Sequence, residues 1–250
     1  MYRWFGRRRR MFGVRWTRWC FQNVIVALLV TYLVVLGSVD LVLAVRRGHP
    51  AVAVNSTLLG KYELNKPVIV LSLPKSGTTS LASYFRCGGV RTSHWKCGAG
   101  FCANCLALKS NGTKLLQKCG GFSVYAELSH VGDTSCIVPQ LDMLDRIHKD
   151  YPKADFILSV RPSEHWLASM KAWHAYDARM RRCRNLSSNS QLEALYRSHT
   201  AHVENFVKKY PSHRLIKFDL ENTTMAEERL EKAFGIPGTC WVRENCRASC

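Results

Sequence analysis

From residue 66 onward the apolar positions of this chain fall into two alternating kinds of run. Short, nearly unbroken apolar stretches read as buried strands: Val68 to Leu73 within "KPVIVLSL", then "ADFILSV" and "HRLIKFDL". "FSVYAEL" alternates in character and reads as a further strand. Between them lie segments with apolar residues every three or four positions, the period of an amphipathic helix. "GTTSLASYFRC" reads as the first helix. "QLDMLDRIHKDY" sets Leu141, Leu144, Ile147 and Tyr151 on one side and stops before Pro152. "SEHWLASMKAWHAYDARM" reads as one helix opened by a Ser cap with Glu behind it. "QLEALYRSHTAHVENFVKKY" carries Leu192, Leu195, Tyr196, His199, Val203, Phe206 and Val207 at helical spacing, and "MAEERLEKAF" closes the pattern. "CGAGFCANCLALKSNGTKLLQKCGG" is rich in Cys and Gly and reads as irregular; the chain has no internal repeat.

Strands that alternate with helices of ten or more residues imply a parallel sheet covered on both faces. The expected fold is therefore α/β, a three-layer parallel sheet with helices on both faces. Ligands of such sheets bind at the carboxyl ends of the strands.

Upstream of this domain the pattern changes. Asn23 to Val45 is almost continuously apolar, with Asp40 the one charge. A helix of about 22 residues at 1.5 Å each spans about 33 Å, enough for a bilayer core. The run is too long for the h-region of a cleaved signal peptide. Seven Arg precede it and Arg46 and Arg47 follow, a bias that orients the N-terminus to the cytoplasm. The expected organisation is a basic cytoplasmic tail over 1–22, a transmembrane signal anchor over 23–45, a short lumenal stem over 46–65 and a lumenal domain over 66–250.

Two further features agree with a secretory compartment. Asn-x-Ser/Thr acceptors at Asn55, Asn111, Asn185 and Asn222 all lie beyond the apolar run. Ten of the eleven Cys also lie there, with Cys20 beside the span. An even number in an oxidising lumen implies disulfides. Zinc is the weaker reading of "CGAGFCANC" with Cys119, and the pairing cannot be deduced. The chain carries 36 Lys and Arg against 18 Asp and Glu. From Lys66 onward the balance is 26 basic to 16 acidic, which favours an anionic ligand. Compartment excludes a nucleic-acid partner.

Two segments carry the chemistry. "LSLPKSGTTS" runs from a strand into a helix. Gly77 permits close backbone approach, and the amides of Gly77, Thr78 and Thr79 open the helix. Thr78, Thr79 and Ser80 add hydroxyls and Lys75 a mobile positive charge. This is not a Walker loop: Lys75 precedes the Gly and the first Gly is missing. Nor does any acidic residue near it suggest a Walker-B magnesium ligand, so no metal is expected. In "SVRPSEHWLAS" a strand delivers Arg161, and Ser169 follows eight residues later. One guanidinium and one hydroxyl at that spacing suit a second phosphate.

These two motifs resemble those of the sulfotransferase family. "LPKSGTTS" is similar to its 5′-phosphosulfate loop and "RPSEHWLAS" to its 3′-phosphate segment, though Arg161 here meets Pro162 directly. The resemblance covers roughly residues 66 to 235 and is closest to the membrane-anchored, Golgi-type members. It implies a P-loop-like fold, 3′-phosphoadenosine 5′-phosphosulfate (PAPS) as donor, and transfer of a sulfuryl group to an acceptor hydroxyl or amine. By position it implies that Lys75 meets the phosphosulfate bridge. Ser76, Gly77, Thr78, Thr79 and Ser80 would cradle the 5′-phosphate, and Arg161 and Ser169 the 3′-phosphate. A carbohydrate or glycoconjugate would be the acceptor, on the lumenal side of the Golgi membrane.

The family uses a His or an acidic residue as base. His94 in "TSHW" and Glu127 in "VYAEL" stand equal as candidates, with His130 third. Arg179, Arg181, Arg182 and Arg184 form either a solvated helix end or part of an acidic-acceptor surface. Trp95, Trp166, Trp173 and Trp241 have core packing as the expected role for most. Two other readings stand beside the transferase: an inactive lumenal binding protein on the same fold, and an ATP-dependent phosphotransferase, which lacks its Walker pattern.

Overall fold

The computed structural model describes residues 66–107 and 112–244, with Tyr62 and Leu64. The expected tail, membrane span and all but two residues of the stem lie outside these, as do Asn55, Asn111, Cys20, Cys246 and Cys250. Among the described residues no helix is long and apolar enough to cross a membrane.

In chain order the elements are β1 (Val68–Val70), α1 (Thr78–Cys87), β2 (Thr92–Ser93), β3 (Lys96–Cys97), β4 (Gly100–Phe101), α2 (Cys102–Cys105), β5 (Val124–Tyr125), β6 (His130–Val131), β7 (Cys136–Ile137), α3 (Pro139–Asp142), α4 (Leu144–Asp150), β8 (Asp155–Val160), α5 (Ser163–Lys171), α6 (Tyr176–Cys183), α7 (Asn189–Lys209), β9 (Leu215–Asp219), α8 (Thr223–Phe234) and a 3₁₀ turn (Gly238–Cys240). Five strands form one sheet in the order β2-β5-β1-β8-β9. Every pairing within it is parallel.

Side-chain alternation along the strands divides the core between the two faces. Val68 and Val70 join Leu81, Phe85, Leu230 and Phe234 under α1 and α8. Ile69 and Leu71 join Ile147, Val203 and Phe206 under α4 and α7 on the opposite face. Phe156 and Leu158 of β8 go with the second group and Ile157 with the first. The domain is thus an α/β protein with a parallel five-stranded sheet flanked by helices. A third cluster (Leu73, Trp166, Met170, Met180, Leu192 and Tyr196 among others) packs α5, α6 and α7 together near the loop that follows β1.

Four elements differ from their pattern, the first being the segment read as one helix over 140–151, which is broken at Met143 (φ −132°) into α3 and α4. The strand beginning at Val68 ends at Val70, because the chain then turns into the loop. "FSVYAEL" contributes only Val124–Tyr125 to the sheet. The segment 163–180 is two helices, broken at Ala172–Ala175, where His174 and Ala175 take left-handed φ of 50° and 51°. No Gly or Pro marks that break; packing imposes it, since Met170 and Met180 on either side both enter the same cluster. Nor does Ser163 cap the helix: it lies within the first turn, after Pro162 at the cap position.

Eight described cysteines pair as Cys87–Cys240, Cys97–Cys102, Cys105–Cys119 and Cys136–Cys183. The sulfurs of Cys97, Cys105 and Cys119 lie within 4.8 Å of one another, shared between two adjacent disulfides. Cys87–Cys240 ties the end of α1 to the 3₁₀ turn across 153 residues. A cross-link over so long a loop constrains the unfolded chain most, by roughly 5 kcal/mol on the chain-entropy account.

Candidate active site

The loop between β1 and α1 is held by its carbonyls. Trp166 Nε1 donates to Pro74 O at 2.8 Å, Arg161 Nη1 reaches Lys75 O at 3.5 Å, and Ser159 Oγ donates to Ser76 O. Ser72, just past the end of β1, meets Ser159 of β8 through their hydroxyls at 2.8 Å. With the carbonyls drawn inward, the chain turns through Lys75 at φ 69° and Gly77 at φ 82°. Left-handed backbone at a lysine costs roughly 1–2 kcal/mol, so this conformation rests on those ties. At Gly77 a Cβ would strike Leu220 Cδ1, which adds a steric reason for glycine.

The start of α1 is electrostatically open. Helices α7 and α8 are capped by Ser188 and Asn222, whose side chains accept from Gln191 N and Met225 N. Helix α1 has no side-chain cap bond and no acidic residue in its first turn. Its leading amides therefore keep the partial positive charge that binds anions. Lys75 Nζ stands over the face of Trp173 at 4.1 Å, a tryptophan 47% exposed.

The predicted cradle divides by exposure. Lys75, Gly77 and Thr79 are half-exposed, while Ser76, Thr78 and Ser80 are buried. Ser76 N donates to Leu73 O, and Ser80 Oγ accepts from Glu244 N at 2.8 Å. Ser76 and Ser80 thus serve the loop and the C-terminal segment in this state.

His94 follows β2 and turns back onto the loop. Its Nε2 lies 3.2 Å from Thr78 Oγ1 and 3.4 Å from Thr79 Oγ1. Burial, with Arg86 and Lys75 nearby, lowers its pKa to about 4, so the imidazole is neutral near pH 7. Glu127 lies just past β5, and its carbonyl accepts from Trp95 N at 3.1 Å. Its Oε1 accepts from Ser129 N at 2.8 Å and from Gln140 Nε2 at 3.3 Å. Burial raises its pKa to about 7 despite these bonds. His130, the third candidate, stacks on Phe101 with ring centroids 4.4 Å apart.

Arg161 follows β8, where its Nε and Nη2 donate to Glu221 Oε1 at 3.2 and 2.8 Å. Its amide donates to Tyr196 Oη at 3.0 Å. His165 Nδ1 lies 2.8 Å from Glu221 Oε2. Burial works to raise the Glu221 pKa, but Arg161 and His165 outweigh it and hold the group below the usual carboxylate range. Ser169 is half-buried on α5, and no hydrogen bond joins it to Arg161. The basic cluster divides as well: Arg182 pairs with Asp133 and Arg184 with Asp142, whereas Arg179 donates to Val131 O and covers the Tyr176 ring at 4.8 Å. Among the tryptophans, Trp166 and Trp241 are core residues, while Trp95 and Trp173 are 44% and 47% exposed.

Sequence patterns missed Trp173 as the seat of Lys75, Gln140 as the partner of Glu127, and Glu221. The first two follow from the helix break and the close of β5, which the pattern does not show; Glu221 is one acid among several near the end of β9.

An uncapped helix start, a lysine and an arginine thus gather at the carboxyl edge of a parallel α/β sheet, where ligands of such sheets bind. Residues 67–181 match the profile of a sulfotransferase domain, a span that includes Lys75, His94, Glu127, Arg161 and Ser169. That match supports a sulfotransferase family for this segment. No curated protein matches the chain significantly.

Proposed function

We propose that this protein is a PAPS-dependent sulfotransferase of the Golgi membrane, single-pass and type II, acting on a hydroxyl or amine of a carbohydrate or glycoconjugate in the lumen. The observation that carries this reading is the meeting of Lys75, the open start of α1 and His94 at one point, with Arg161 reaching the carbonyl of Lys75. The donor, when bound, supplies an activated sulfuryl group. The residues fit it: the first turn of α1 has no acid to repel a phosphosulfate, and Arg161 has the charge to bind a second phosphate.

Lys75 stabilises negative charge that grows on the leaving phosphate oxygen. The amides of Gly77 and Thr79, with the Thr78 and Thr79 hydroxyls, orient the reacting end. His94 takes the acceptor's proton: it is neutral, half-exposed and within reach of the loop hydroxyls. Glu127 is buried and engaged with Ser129 and Gln140, which suits it to bracing the strand ends. Exposed aromatic faces at Trp95 and Trp173 suit a sugar ring. Asn185 and Asn222 are both exposed, as glycan acceptors must be.

The full chain expressed in secretory cells is expected to lose apparent mass on endoglycosidase treatment. With radiolabelled PAPS it is expected to label glycans in preference to lipids or tyrosine peptides. An unglycosylated chain with a protease-accessible cytosolic C-terminus sinks the topology, and donor binding without transfer to any acceptor sinks the enzyme in favour of a binding protein.

A further inference from the structure

Arg161 already holds an anion, and the anion belongs to the protein. Glu221 Oε1 accepts from both Nε and Nη2 of that guanidinium, and the same carboxylate lies 2.9 and 2.8 Å from His165 Nδ1. The pair is only partly shielded, with side-chain exposures of 16% for Arg161 and 25% for Glu221. Glu221 sits in the short link between the end of β9 at Asp219 and the α8 cap at Asn222. Its amide is fixed by Asp219 Oδ1 at 2.9 Å, and among the described residues its carboxylate is held by Arg161 and His165. The side chain can therefore change rotamer without moving either element.

We propose that the Glu221 carboxylate stands in for the 3′-phosphate of the donor: it keeps Arg161 and His165 converged in the empty protein and yields both when the phosphate arrives. The inference rests on the donor reading above. A phosphate monoester brings a charge of about −1.5 to −2 and three acceptor oxygens against one charge and two oxygens. It therefore out-competes the carboxylate for the same donors, and like charge then drives Glu221 away. The arrangement also explains why an arginine already satisfied within the protein stands at the carboxyl edge of the sheet. An unpaired guanidinium there would drift among rotamers, and converging it on each binding event would cost ordering entropy. The proposal adds His165 to the 3′-phosphate site, one turn before Ser169 on the same helix.

Titration of the full chain with adenosine 3′,5′-bisphosphate and with adenosine 5′-monophosphate tests it. Glu221→Gln keeps the shape and removes the competing charge. It is expected to tighten the bisphosphate about two- to fivefold, the upper part of the range for a solvent-screened ion pair, and to leave the monophosphate unchanged. His165→Ala is expected to weaken the bisphosphate alone. Unchanged or weaker bisphosphate binding by Glu221→Gln, with monophosphate binding intact, overturns the stand-in and leaves the donor reading in place. A wild-type protein that does not distinguish the two nucleotides overturns both.

Discussion

The two positions proposed to hold the anionic ends of the donor are built in opposite ways. At the start of α1 the positive potential comes from backbone amides, which cannot leave, and the helix has neither a side-chain cap nor an acid in its first turn. Past β8 it comes from a side chain, and Glu221 neutralises it. The difference follows from stiffness. Backbone dipoles are oriented by the hydrogen bonds of the loop carbonyls and need no counter-charge to stay aimed. A guanidinium on a flexible stem needs something to aim it. On the proposed function the first position serves chemistry and the second recognition, and substitutions in the two should separate into turnover and affinity.

The largest effect is expected at the base. His94→Ala should reduce turnover by about 10²–10⁴. A base with a pKa of about 4 is already deprotonated at neutral pH, so kcat/KM should be flat from about pH 6 to 8 in respect of this group. Glu127, with a pKa of about 7, gives the same sign in a different window: the carboxylate forms as pH rises, and activity would climb through about 7 instead of about 4. A rising limb that disappears in Glu127→Gln would transfer the role from His94 to Glu127.

Lys75→Ala is expected to lower turnover by about 10²–10³, with much less change in donor affinity, because charge on the leaving oxygen grows in the transition state. Lys75→Arg should rescue poorly, since a planar fork does not replace a compact charge over Trp173. Near-normal transfer by a folded Lys75→Ala protein at saturating donor would make the lysine a cover for the helix start and erase the contrast between the two positions.

Arg161→Ala should act on affinity. The expected loss for adenosine 3′,5′-bisphosphate is about ten- to a hundredfold, from one charge-assisted hydrogen bond. The monophosphate should change little. Ser169→Ala belongs at the bottom of the range, at about fivefold for a neutral hydrogen bond. Titration calorimetry on the four protein–ligand pairs checks the order, and an equal loss of both nucleotides with Arg161→Ala would deny it the 3′-phosphate.

Local patterns carried most of the architecture because each rests on neighbours in the chain. An apolar run, a Gly and a row of hydroxyls make a strand, a turn and a helix start wherever they occur in that order, and β1, the loop and α1 follow. The helical period likewise marked α7 and α8. By contrast, periodicity failed at residues 172–175. There, burial of Met170 and Met180 in one cluster outweighs helix continuity, and the turn sets Trp173 beneath Lys75.

The sequence by itself determined the class of domain, the anion-binding loop and the candidate residues, through periodicity and short-range chemistry. Tertiary structure alone decided which partner each of those residues has. Lys75 meets Trp173, Arg161 meets Glu221, Glu127 meets Gln140, and Cys87 meets Cys240. Each pairing joins segments that come together only when the sheet is assembled. A local pattern has no term for such a pairing, because it is settled by the packing of the whole domain.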